Sequence, residues 1–219
     1  SAFYPTVRYY FPVANGNWDG AIMHTLLAIA VFTDNRELFD NAAYHYLHAN
    51  ANGSLIKYVY PTGQCQETRR DQGHVQMGLY EFSGAARIAY TQGVDLFSAA
   101  DNRLALGLEY SARFICGDSV YAYGVPSQRE RFKYRAGFEY CIDHFTAKGI
   151  DMPYLRELCS RTKMDNPANA LWKLTAFREE FRQKPSVLVD IQESKIAYHA
   201  GATLEQVCPT GQSVIEVNN

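Results

Sequence analysis

The sequence predicts an all-α fold of helical hairpins, followed by a short irregular or β-containing C-terminal tail. Three observations carry that prediction. Apolar residues recur at helical spacing through most of residues 18–182. The segments between these stretches are short and marked by Gly, Pro, Asn and Asp. Short β-branched runs follow Pro185, where Gly201, Pro209 and Gly211 interrupt any longer period.

Trp18 to Phe32 (WDGAIMHTLLAIAVF) is apolar nearly all round, the pattern of a helix buried on most sides. It stops at Thr33-Asp34-Asn35, where Asp34 and Glu37 have capping-box spacing with Asp34 as N-cap. The next helix runs from about Arg36 to His48, with Leu38, Phe39, Ala42, Ala43, Tyr46 and Leu47 as its stripe. A tight turn between the two makes a helical hairpin. Asn50 to Gln66 breaks the pattern: Asn52-Gly53 and Pro61-Thr62-Gly63 are turn signals, and Leu55 to Tyr60 reads as a short extended piece. A long helix spans about Arg70 to Gln92, with Val75, Leu79, Phe82, Ala86 and Ala89 facing the core and Gly93 as C-cap. Another covers about Ala100 to Ile115, ahead of Gly117. A polar loop with Gly124 and Pro126 leads to a helix over about Arg131 to Phe145. Pro153 to Thr162 and Pro167 to Arg182 read as two more. No repeat of TPR or HEAT length is present. The helical domain is therefore placed at residues 1–184. Residues 185–219 form a strand-bearing or partly disordered extension, with Val187 to Ile191 and Ser213 to Val217 as its β-branched runs.

Composition excludes several function classes. The 219 residues carry 21 Lys+Arg against 23 Asp+Glu, a formal net charge of -2. That balance gives no basic footprint for nucleic acid. No basic run favours a membrane surface, and the longest apolar stretch, Ala21 to Phe32, falls short of the roughly 20 residues a bilayer needs. Cys65, Cys116, Cys141, Cys159 and Cys208 are widely spaced with no CxxC, which excludes the common zinc and thioredoxin patterns. No metal and no cofactor is expected. An odd number of Cys in a secreted chain leaves a thiol unpaired or paired between chains, and Asn52-Gly53-Ser54 is a glycosylation sequon. The 16 Tyr suit a surface that binds something partly wet, such as sugar, and equally a Tyr-rich core.

Three segments carry chemistry. In Gln64 to Gly78 (QCQETRRDQGHVQMG), Glu67, Asp71, His74 and Gly78 share a face if the helix starts early enough. A carboxylate one or two turns before a His orients its imidazole. Gly73 and Gly78 would admit a bulky ligand to the helix backbone. A solvated charged face, a general acid–base site and a metal site from Glu67, Asp71 and His74 all fit the pattern. In Ala14 to Gly20 (ANGNWDG), Asn15, Asn17 and Asp19 suit helix capping. Asn17 with Trp18 suits a sugar as well, Trp stacking on the ring. In Arg129 to His144 (RERFKYRAGFEYCIDH), Arg135, Tyr140 and His144 lie among apolar neighbours. There Arg131, Lys133 and Arg135 give a basic face that is either solvated or turned to a polyanion.

Together, NGNWDGAIMHTLLAIAVFTDN, YPTGQCQETRRDQGHVQMGL, GVDLFSAADNRLALGLEYSARF and the helix ending EYCIDHF ahead of GIDMPY resemble the alginate lyase family of polysaccharide lyases. The likeness is greatest to the branch whose signature is roughly ESGRDQGH. It covers about Phe3 to Arg161 and corresponds to the C-terminal half of the family fold. The resemblance implies an (α/α) toroid of hairpins around an open cleft, here an incomplete toroid. It also implies β-elimination on a uronate-containing polysaccharide of alginate or glucuronan type. By position, Asn17 would bind the substrate carboxylate, Glu67 would orient the site, and His74 would act as base or carboxylate neutraliser. Arg135 would hold the substrate or the catalytic tyrosine. Asn15, Trp18, Arg70, Asp71 and His144 would complete the binding surface. The chain would be secreted, extracellular or periplasmic, its signal removed.

Two departures accompany the resemblance. The tyrosine of relatives, about seven residues after the Arg, falls on Ile142, which leaves Tyr140 or Tyr134 as the substitute. The half of the toroid that normally precedes Phe3 would be a separate chain, a deleted segment or a part cut from this sequence, or a second copy would take its place. Both departures suit an alternative: a catalytically degenerate lyase-like scaffold that binds carbohydrate or serves as a structural, oligomerising module.

Overall fold

The structure, a computed structural model, describes residues 3–10, 14, 16–49, 54–163 and 167. Among these it contains eight α-helices and no β-strand. They are α1 (Phe3–Tyr10), α2 (Asn17–Phe32), α3 (Arg36–His48), α4 (Leu55–Tyr58), α5 (Gln72–Thr91), α6 (Ala99–Cys116), α7 (Glu139–Ala147) and α8 (Pro153–Arg161). The helix expected over 167–182 and the tail from residue 185 lie outside the described residues, Pro167 apart.

The packing centre is α2 against α5, because these two helices carry the longest apolar stripes. Met23, Leu26 and Leu27 of α2 are buried with Val75, Leu79 and Phe82 of α5. Each such side chain contributes roughly 1.5–3 kcal/mol when fully buried. α3 folds back on α2 through Phe39, Ala42, Ala43 and Tyr46, the stripe read from the sequence. α6 packs on α5 and α8, and α7 on α8, extending the hairpin order. The five α5 residues expected to face the core are all buried. The helix ends with the Gly93 N–H bonding the Tyr90 carbonyl and the Val94 N–H bonding that of Ala89, a Schellman closure at Gly93 (φ 85°).

Five expectations are corrected. The α3 N-cap is Asn35, whose side chain accepts from the Leu38 N–H at 3.0 Å; Asp34 takes φ 52° in the turn before it. Leu55–Tyr58 is one helical turn, and extended pairing is confined to Val59 with Cys65. The α5 helix starts at Gln72, so Glu67 and Asp71 precede it. The helix expected over 131–145 starts only at Glu139. Before it, the Arg131 guanidinium turns back to the Phe114 and Asp118 carbonyls at the end of α6, and Gly137 takes φ 105°. Finally, α2 is not buried all round. Its Ala28 and Phe32 are exposed, because α1, α3 and α5 cover the other sides only.

Candidate active site

The ordering residue at the start of α5 is Asp71. Its Oδ1 accepts the His74 N–H at 2.8 Å as the N-cap. Both its oxygens also lie 2.8 Å from His74 Nδ1. An ionised carboxylate only accepts, so Nδ1 carries a hydrogen, and in the neutral ring Nε2 keeps its lone pair. Among the described residues that Nε2 makes no hydrogen bond, while the ring is a quarter exposed. A histidine so held is oriented by its carboxylate and open to a proton on its outer face. Burial pushes the Asp71 carboxyl up, but the His74 amide and ring, with Arg129 3.8 Å away, hold it below the usual value.

Glu67 sits one turn before Asp71 and ties three elements together. Its Oε2 accepts from the Tyr58 hydroxyl at 3.2 Å and from the Asn17 N–H, the first of α2, at 3.3 Å. Its Oε1 accepts from Arg70 Nη1 at 3.1 Å. The sequence expectation of side-chain caps in Ala14 to Gly20 therefore changes: Glu67 caps α2 from fifty positions away, against Gly16 at φ 59°. Burial raises the Glu67 carboxyl above its ordinary value, opposed by the Tyr58 hydroxyl, His74, Arg70 and the Asn17 amide. Asp19 turns from the site altogether and pairs with His45 of α3 at 3.3 Å, both side chains fully buried.

The third wall is the segment before α7. Three glutamines hold it. Gln64 exchanges two hydrogen bonds with the Tyr123 backbone, and Gln72 donates to the Ser127 carbonyl at 2.9 Å. Gln76 donates to the Lys133 carbonyl at 2.8 Å and accepts the Arg135 N–H at 3.0 Å. This brings Arg129 to Asp71, and places Glu130 against Gly73 so closely that a Cβ there would run into its carboxylate. Lys133 and Arg135 lie 3.7 and 4.0 Å from Glu130.

The structure thus brings Asn17, Glu67, Arg70, Asp71, His74 and Arg135 to one end of α5. The Asn17 Oδ1 is buried without a hydrogen-bond partner among the described residues, and neighbouring Trp18 is 61% exposed. Asn15 lies outside the described residues. Tyr140 and His144 are placed elsewhere, because α7 begins after Arg135. Tyr140 is buried under the Arg87 guanidinium, its phenol raised well above the ordinary value by burial first. His144 stacks on Phe97 with centroids 4.2 Å apart, and Ile142 is buried in the same core. Tyr134, the other substitute considered, bonds Arg161 through its hydroxyl. Gly73 and Gly78 admit Glu130 and the Tyr58 hydroxyl to α5, not an open ligand face. Sequence reasoning missed Tyr58, Arg129 and Glu130; the run of glutamines at 64, 72 and 76 was the visible signal of a buried clamp. Among the described residues no three His, Cys, Asp or Glu groups converge to hold a metal ion. No helix there is long and apolar enough to cross a membrane.

A family model described as alginate lyase matches residues 3–120. No curated protein and no solved structure matches the chain.

Proposed function

This chain belongs to the alginate lyase family, a family of polysaccharide lyases, and we propose that it cleaves a uronate-containing polysaccharide of alginate or glucuronan type by β-elimination. The observation that carries the proposal is the His74 imidazole, fixed through Nδ1 on Asp71 with Nε2 open. Elimination needs the substrate carboxylate neutralised so that the adjacent ring carbon becomes acidic. Arg135 and Arg129 supply that electrostatic task in preorganised form, and the Asn17 NH2 donates to the same carboxylate. His74 Nε2 removes the ring proton. The C–H electron pair forms the new double bond, the glycosidic C–O bond breaks, and the leaving oxygen takes a proton. In this proposal the imidazolium formed in the first step returns it, since Tyr140 lies apart from the site. Glu67 acts as a positioning residue, holding Arg70 and the start of α2, with Trp18 as the stacking face. The chain works outside the cytoplasm, where such polymers occur.

The test is ultraviolet absorbance of the conjugated double bond on polymannuronate, polyguluronate and glucuronan. A rise that His74→Ala removes is the expected result. A folded wild-type chain that yields no rise on any of the three removes the proposal.

A further inference from the structure

The first turn of α2 carries Asn17 and Trp18, and their placement depends on how that turn is held. Glu67 holds it through the Asn17 N–H. A second carboxylate holds it from another side. Asp19 is two positions on, about 200° round the helix from Asn17. An acid at the third helical position commonly turns back to the free amides of its own first turn. Asp19 turns inward instead, its Oδ2 3.3 Å from His45 Nε2 in the last turn of α3. Next to it, Gly20 approaches α5 so closely that a Cβ there would sit 3.1 Å from the Phe82 ring.

The Asp19–His45 pair is a poor device for stability alone. Both side chains are fully buried, and Asp19 Oδ1 has no hydrogen-bond partner among the described residues. Taking such a pair out of water offsets much of its attraction, and an apolar pair of similar volume often serves as well. What the pair adds is geometry. A hydrogen bond constrains direction as well as distance, whereas apolar burial is non-directional. Asn17 Oδ1 has no partner among the described residues either, so the α2 backbone is what aims that amide.

We propose that Asp19 and His45 are positioning residues that fix the first turn of α2 so that the Asn17 amide meets the substrate carboxylate. The proposal rests on the reading of the α5 N-terminus as the cleavage site. Two variants separate positioning from folding. His45→Gln keeps an N–H donor for Asp19. Asp19→Leu combined with His45→Leu leaves no buried charge behind, so the fold survives; circular dichroism and the thermal midpoint check it. The measurements are kcat and KM on the polymer that wild type cleaves, and the side-chain amide resonances of Asn17. The substrate carries its carboxylate before the reaction as well as during it, so the loss falls on KM: about tenfold up in the leucine pair, with kcat within about threefold. The Asn17 NH2 resonances move in the leucine pair, and His45→Gln keeps both readouts near wild type. Unmoved Asn17 resonances in a folded leucine pair overturn the proposal, and so does an equal rise of KM in His45→Gln. Product formation with unchanged KM in the leucine pair overturns the positioning and leaves the elimination standing. A wild type without product removes the elimination; moved Asn17 resonances then still uphold the hold on α2, and unmoved ones overturn both.

Discussion

Asp71 performs two tasks with one carboxylate, and a single substitution separates them. Asparagine still offers an oxygen to the His74 N–H, so the cap of α5 survives. What it loses is the charge that fixes Nδ1 as donor and supports the imidazolium. Asp71→Asn is therefore expected to keep the thermal midpoint within a few degrees while lowering kcat by about 10²–10⁴-fold, the range for a misplaced general base. The pH profile of the residual activity should shift as well, which a purely structural role would not cause. Equal kcat in the two proteins would remove Asp71 as the orienting group. His74→Ala should fall at least as far, since it removes the proposed base itself. At this scale the sequence was informative for local pairs. Asp71 and His74 are three apart, and their contact follows from the spacing. The Glu67 bonds to Tyr58 and to the Asn17 amide were not legible, because nine and fifty positions separate the partners and no period connects them.

Between elements, contacts at glycine decide how closely helices approach. The Tyr58 hydroxyl lies against α5 at Gly78, 3.4 Å from the His74 and Val75 carbonyls, while bonding Glu67. Gly78→Ala has to displace that phenol, and overpacking of this kind costs about 1–3 kcal/mol. The Tyr58 shift also moves Glu67, so activity should fall more than stability alone explains. Tyr58→Phe in the same chain should recover part of the stability and none of the Glu67 hydrogen bond. Denaturant unfolding of the four proteins measures the coupling; simple additivity would show that the two residues do not meet. On α7, His144 supplies a pH prediction. Burial lowers it to about 4, with Asp95 opposing and Lys148 assisting. The native state then binds fewer protons than the unfolded state between about 6.5 and about 4, so stability falls as pH falls through that window. His144→Phe suits the Phe97, Tyr90 and Phe145 rings around it. It should reduce the acid loss of thermal midpoint over that window, while an unchanged slope would exclude His144 as its source. The sequence reading put Tyr140 and His144 beside Arg135 on one helix. It failed because nothing in the local apolar period reveals that Arg131 is drawn to the end of α6.

Across the whole molecule, the helices and their inward faces were legible because burial on α3 and α5 follows a period of 3.6 residues. The site was only half legible, because its second half is an irregular segment tied to the start of α5 by glutamine side chains and by two main-chain bonds, from the Gln72 N–H to Arg129 and from the Ser127 N–H to Thr68, none of which follows a local period. Residues 121–135 reach the N-terminus of α5 through the Gln64, Gln72 and Gln76 amides. Through them the helical core sets the positions of Arg129, Glu130 and Arg135. Gln76→Leu tests this arrangement. Leucine fills similar space in the core but leaves the Arg135 N–H and the Lys133 carbonyl without Gln76. An unmet buried hydrogen bond costs about 1–3 kcal/mol, and here the segment can instead swing out to water. The expected result is that the α2 and α5 amides keep their hydrogen-exchange protection while the Arg135 amide loses it. The KM for polymer should rise with the loss, because the guanidinium proposed to bind the carboxylate is no longer preorganised. Full protection at Arg135 in the leucine variant would show that the segment is held by its own contacts, and that the core does not position the cationic wall of the site.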